Sequence, residues 1–176
     1  MNLMVADLTY AGLIDADLSY ADLIRTQLYR ANLTEAKLSY ANLTEANLTG
    51  AKLSYANLTG ANLSEADLTE ADLTGADLTQ STLVKTNLEK AILEGCRIYG
   101  ISAWSLTLEG AKQWNLNVSA VNEPAVMVDN LEVAQFIHLL LNHKKLRNVL
   151  NAITERGVLI LGRFSGGGLE VLVPVW

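Results

Sequence analysis

The sequence predicts an all-β solenoid over residues 1–118, followed by a small C-terminal module, and three observations carry that prediction. Leu or Ile recurs at every fifth position from Leu3 to Ile98, twenty times without an insertion. Two positions before each of them, from Leu8 onward, stands a small residue: Ala in most repeats, and Thr26, Ser81, Thr86 and Cys96 in the others. The spacers are rich in Asn, Asp, Ser, Thr and Gly, which favour turns and weaken helix interiors. In a helix, steps of five advance about 140° past a full turn and scatter the leucines around the cylinder. In a strand, the small residue and the Leu share one side, and the Asn or Asp between them faces outward. The remaining two residues must then turn the chain. Each pentapeptide is thus one short side of a coil with a corner after it. A single unit cannot bury its own Leu, so successive coils must stack.

Composition agrees with such a core. Half of the 176 residues are apolar but only 6 % are aromatic, so the interior is built from Leu, Ala, Val and Ile. The net charge of −6 argues against binding a phosphate backbone, and no direct nucleic-acid binding is expected. Residues 1–100 hold 13 acids and 7 bases, and residues 101–176 hold 6 of each, so the excess lies in the repeats. The lone Cys96 excludes an internal disulfide framework and a cysteine metal cluster. The start, MNLMVADLTY, lacks a basic and an apolar leader region, and no run of 18 apolar residues exists. A soluble, cytoplasmic protein with no membrane span is the expectation.

The repeated A(D/N)LXX motif, unbroken in ANLTGANLSEADLTEADLTGADL (residues 56–78), closely resembles that of the pentapeptide-repeat family. The resemblance implies a right-handed quadrilateral β-helix with four pentapeptides in each square coil of twenty residues. Leu3 to Ile98 would then form five coils, a column roughly 24 Å tall at strand spacing. The register continues through Ala103, Leu108, Gln113 and Val118, with Ile101, Leu106, Ala111 and Leu116 two positions earlier. Larger residues replace small ones there, and Trp104 and Trp114 take outward positions, so Gly100 to Val118 reads as a degenerate last coil. The solenoid therefore has about five to six coils.

A coil of twenty residues places i and i+20 one above the other. One corner ladder reads Val5, Arg25, Glu45, Glu65, Lys85, with opposite charges adjacent at both ends of the acidic pair. A second reads Tyr10, Arg30, Gly50, Glu70, Lys90, which sets Tyr10 against the Arg30 guanidinium. A third has Tyr20 under Tyr40, then Gly60. Glu65, Asp67, Glu70, Asp72 and Asp77 form the candidate interaction surface, with no Lys or Arg between Lys52 and Lys85. Family members that bind DNA gyrase are described as acidic mimics of duplex DNA, and this group raises that alternative. The twenty-residue count, however, sets Glu65 on one face, Asp67 and Glu70 on the next, and Asp72 and Asp77 on the other two. The row Asp17, Lys37, Asn57, Asp77, Arg97 also interrupts any acidic stripe along the axis. Calcium is not expected, because no Gly-Gly-x-Gly-x-Asp turn occurs.

After Val118, Asn122-Glu123-Pro124 marks a connection over residues 119–129. Asp129, three residues before Glu132, predicts an N-cap with a capping-box partner. A helix follows through Val133, Ala134, Phe136, Ile137, Leu140 and Leu141, with a break at Asn142-His143. A second helix carries Leu146, Val149, Leu150 and Ile153 and ends at Arg156-Gly157. These helices are expected to cover the open end of the column. Val158–Phe164 reads as a strand, Ser165–Gly168 as a Gly-rich connection and Leu169–Val175 as a returning strand, which together suggest a hairpin. Residues 128–164 resemble the lead-in to a Toll/interleukin-1 receptor-like domain of bacterial pentapeptide-repeat proteins. Only twelve Gly-rich and apolar residues follow Phe164, so a truncated relative without the nucleotide-processing chemistry is implied.

No HExxH, Walker loop, GxSxG or paired-cysteine motif occurs. His138 and His143 are five apart and do not share a helix face. Cys96 occupies an inward position and reads as a core thiol. No catalytic, cofactor or metal residue is therefore expected. The sequence points to a non-enzymatic structural or protein-interaction scaffold, with gyrase-type mimicry and a receptor-like remnant as the alternatives. An open first-coil edge and an apolar tail add the expectation of a homodimer through the C-terminal module. Its candidate assembly residues are Phe136, Leu140, Val158, Leu159, Ile160, Leu161, Leu172 and Trp176.

Overall fold

The computed structural model describes residues 1–142. It places the chain in two units, Met1–His138 and Leu139–Trp176. The second helix, the Val158–Phe164 strand, its hairpin partner and six of the expected assembly residues (Val158, Leu159, Ile160, Leu161, Leu172 and Trp176) lie outside the described residues.

In the first unit, parallel bridges join residue i to residue i+20 from Asn2↔Asp22 up to Arg97↔Asn117. Most sides pair through one residue each. Strands β1 (Thr82–Val84) and β2 (Ser102–Trp104) are longer and pair in parallel at the same offset. A turn separates each side from the next, every five residues. The Leu3 turn is typical: the Ala6 amide donates to the Leu3 carbonyl at 3.1 Å, and φ is +58° at Val5. Positive φ at only the third turn residue is the type II arrangement.

One repeat suffices to account for the backbone. In the Ala56–Gly60 pentapeptide, Ala56 N donates to Leu53 O within the turn, at 3.0 Å. Asn57 N donates down to Ala36 O at 2.9 Å, while Leu58 N and Gly60 N donate up to Asp77 O and Thr79 O at 2.8 and 2.9 Å. The fifth amide, Thr59 N, has no coil above or below in reach. It donates to Oδ1 of Asn57, two residues earlier, at 3.0 Å. Asn or Asp before the Leu is thus the acceptor for the one amide that stacking leaves over.

The interior is Leu and Ala. From Ala21 to Leu93 the inward residues of both rows are fully buried. The polar members of the small row are satisfied inside: Thr26 and Thr86 Oγ1 donate to the carbonyls of Leu3 and Leu63 at 2.8 Å. Cys96 Sγ donates to Leu73 O at 3.1 Å, and Ser81 Oγ to Leu78 O at 2.7 Å. Each hydroxyl therefore adds no buried orphan.

Beyond Arg97 the ladder ends in β3 (Leu116–Asn117), which pairs antiparallel with β4 (Met127–Val128). Helix α1, Leu131–Asn142, follows. Leu131 and Ala134 join the core, and His138 meets the Tyr99 ring edge-on at 5.1 Å. The helix starts one residue later than Asp129 predicts. Asn130 is the N-cap, its Oδ1 accepting from Glu132 N and Val133 N at 2.8 and 3.0 Å. Asp129 is drawn instead to the last coil, where its Oδ1 accepts from Asn115 N at 3.1 Å. Asn and Asp cap equally well, so the competing amide decides between them.

Candidate functional site

The outward surface of the coils carries the candidate residues, and its chemistry is mostly engaged in holding the coils. In many repeats the Thr or Ser after the Leu donates its hydroxyl to the same Oδ1 that takes its amide. Thr34, Thr44 and Thr49 do so to Asn32, Asn42 and Asn47 at 2.6–2.7 Å. The buried Thr79 Oγ1, by contrast, has no hydrogen-bond partner among the described residues. Where the hydroxyl bond forms, the (D/N)-L-(T/S) triplet is one closed hydrogen-bonded unit.

Three of the five carboxylates of the acidic group are such acceptors. Asp67 Oδ1 takes Thr69 N and Oγ1 at 3.0 and 2.6 Å, and Asn87 Nδ2 at 3.3 Å from the coil above. Asp72 takes Thr74 N and Oγ1 at 2.9 and 2.6 Å, and Ser54 Oγ at 2.9 Å from the coil below. Asp77 takes Thr79 N at 2.9 Å, with Arg97 Nη1 at 3.9 Å. Glu65 pairs with Lys85 at 3.1 Å. Glu70 alone makes no hydrogen bond among the described residues, and Lys90 acts on it only through space. Four of the five residues thus belong to separate small networks, and Glu70 stands outside them.

Burial opposes ionisation of Asp72, but the hydrogen bonds from Thr74 and Ser54 outweigh it, and the carboxyl is held below its ordinary value of 3.8. Asp7 and Asp17 are lowered likewise, by Thr9 and Ser19. A depressed carboxyl contributes stability above the unfolded value and loses it as pH falls through the folded one. The melting temperature is therefore expected to drop as pH falls below about 4. Asp72→Asn keeps Oδ1 as the turn acceptor but loses the ionised Oδ2 that accepts from Ser54, so its melting temperature at pH 7 should fall modestly and its acid-induced drop should be smaller. Melting curves from pH 7 to pH 2.5 check this, and an identical drop in both proteins would count against it.

The corner ladders stand where the twenty-residue offset places them, with one change. Arg25 binds Glu45 through Nε and Nη2 at 2.7 and 3.1 Å. Tyr20 stacks on Tyr40, ring centres 5.2 Å apart. Arg30, however, lies over Tyr29 at 5.3 Å, not over Tyr10, which meets Tyr29 edge-on at 5.6 Å. Tyr29 follows Leu28 directly, so it projects beside the corner and intercepts the guanidinium.

Among the candidate assembly residues, Phe136 is 55 % exposed on α1. Leu140 falls within α1, and the remaining six lie outside the described residues. Sequence reasoning missed Gln113 and Gln135. Gln113 Oε1 accepts from Leu131 N at 3.0 Å, and Gln135 Oε1 accepts from Ala103 N at 2.7 Å. Neither sits in a motif, since each partner lies far along the chain.

Burial pushes the Cys96 thiol up to about 12. It should stay unmodified by a thiol-reactive dye in the folded protein and react within minutes in denaturant. Rapid labelling under native conditions would contradict this placement. Among the described residues, no group of three or more His, Cys, Asp or Glu could hold a metal ion. No described helix is long and apolar enough to cross a membrane.

The pentapeptide-repeats family model matches residues 2–34, 26–64 and 61–100, in eight copies. HetL, a pentapeptide repeat protein involved in heterocyst differentiation regulation from the cyanobacterium Nostoc, is 31 % identical, with a TM-score of 0.38. That match covers 66 % of this chain and 63 % of HetL, so the chain spans less than two thirds of that relative. A pentapeptide repeat protein of the Arabidopsis thaliana thylakoid lumen is 30 % identical over 72 % of this chain and 88 % of its own, with a TM-score of 0.42. QnrB1, a plasmid-mediated fluoroquinolone resistance protein, is 20 % identical over 65 % of this chain and 62 % of its own, with a TM-score of 0.43. No match was found among curated proteins. The family match and the unbroken i to i+20 ladder lead to one conclusion: the chain belongs to the pentapeptide-repeat family, which implies a right-handed β-helix.

Proposed function

We propose that this chain is a non-enzymatic scaffold, a quadrilateral β-helix of five to six coils whose corners present side chains to a protein partner. One observation carries the reading. Asx side chains of the sides accept backbone amides, and many of the neighbouring hydroxyls bond to the same oxygens, whereas the corners hold exposed aromatics at Tyr10, Tyr20, Tyr40 and Tyr55. Tyr and Arg are enriched where protein partners bind. Tyr20 is 71 % exposed while standing at φ +58°, a conformation glycine adopts without strain.

Affinity capture from the native host tests this reading, with wild type beside a Tyr20→Ser, Tyr40→Ser, Tyr55→Ser variant of unchanged melting temperature. A partner held by wild type and lost from the variant supports it, and identical capture by both overturns it. Gyrase mimicry would need an unbroken negative path, and the Asp77–Arg97 and Glu65–Lys85 pairs interrupt it. No inhibition of supercoiling is expected at micromolar protein. A homodimer through the C-terminal module is part of the proposal, and light scattering that gives a strict monomer at high concentration would remove it.

A further inference from the structure

The last coil ends the ladder with part of its donors occupied by groups that are not a coil, while the amides of Ser105, Leu108, Gly110 and Gln113 meet no acceptor among the described residues. In every interior repeat the amide at the Leu position donates to the carbonyl nineteen residues ahead, as Leu88 N does to Thr107 O and Leu93 N to Lys112 O, both at 2.8 Å. The corner amide follows the same rule, as Gly95 N does to Trp114 O at 3.1 Å. For Ala103 the acceptor is instead Gln135 Oε1 on α1, at 2.7 Å. For Asn115 it is Asp129 Oδ1 at 3.1 Å, and for Val118 it is Val126 O at 3.0 Å. Gln135 is buried although polar, between helix neighbours that are apolar. A side-chain amide there gains nothing from burial except the bond to Ala103.

We propose that the first two turns of α1 are a displaceable stop on the column. While Gln135 and Asp129 fill the acceptor positions at Ala103 and Asn115, a further coil cannot close on those sides; when α1 lifts, the whole edge, with the open amides of Leu108, Gly110 and Gln113, pairs with a coil of a second copy of this chain. The occupant follows from the edge itself. Its donors keep the spacing of the interior coils, and beneath them lie Ile101, Ala103, Leu116 and Val118, buried in part by Leu131 and Ala134. A coil with Leu and Ala on its inner side, in the same register, matches both the donors and the apolar surface.

Two variants of the full chain test the proposal. Gln135→Ala removes the surrogate acceptor, and Ala134→Arg places a long charged side chain on the buried face of α1. Mass is followed by light scattering over a hundredfold range of concentration, and amide hydrogen exchange is followed at Ala103 and Leu58. Both variants should lose protection at Ala103 when dilute, keep it at Leu58, and rise to at least twice the wild-type mass when concentrated. Protection at Ala103 should return as the mass rises. Free exchange at Ala103 with wild-type mass at every concentration would overturn the proposal.

Discussion

Leu53→Ala is expected to cost about 3–4 kcal/mol, towards the upper part of the range for deleting a buried leucine. Leu53 is fully buried, and Leu33 and Leu73, which are also buried, hold the same position one coil below and one coil above. The cost depends on how far the surroundings collapse into the space left behind. Here collapse is hindered, because the backbone on each side of the site is pinned to both neighbouring coils. Leu53 N donates to Asp72 O at 2.7 Å, and Lys52 N to Ala31 O at 2.9 Å. Leu13→Ala, in the first coil where the side chain is only partly buried, should cost less than half as much. Denaturant titrations of both variants check the gradient. Equal losses would mean that the column does not fold as coupled nearest-neighbour coils.

The second large effect concerns a glycine. Gly60 stands at φ +66°, and a Cβ built there would lie 2.6 Å from Cδ1 and Cε1 of Tyr40. Gly60→Ala therefore adds two costs, a left-handed conformation for an L residue and displacement of a ring that is stacked on Tyr20. Together they should amount to about 2–3 kcal/mol. Gly95 separates the two. It has nearly the same φ of +68° but nothing within 4 Å of its added Cβ, so Gly95→Ala should cost only about 1 kcal/mol. The pair Tyr40→Ala, Gly60→Ala should recover part of the loss, which a double-mutant cycle reads directly. A Gly60→Ala loss equal to that of Gly95→Ala would show that the ring is not held against Gly60.

These effects divide between what could be read in advance and what could not. The five-residue spacing of Leu with a small residue two positions earlier specifies the coil, because no other regular structure puts both on one side. The twenty-residue ladders follow once the family resemblance sets four such sides to a coil, including Arg25 with Glu45, Glu65 with Lys85, and Tyr20 with Tyr40. The pairing of Arg30 was read differently, since the direction of Tyr29 beside its corner depends on packing and not on the offset.

Sequence alone determined the repeat, its register, its inward residues and its family, because each is a local property repeated twenty times. Tertiary structure alone decided which outward groups are free to act. It tied Asp67, Asp72 and Asp77 into the turns that follow them, and moved the start of α1 from Asp129 to Asn130. It also set Gln135 on the amide of Ala103. The physical reason is that hydrogen bonds between residues far apart in the chain compete with the local ones, and only their positions in space settle which prevails.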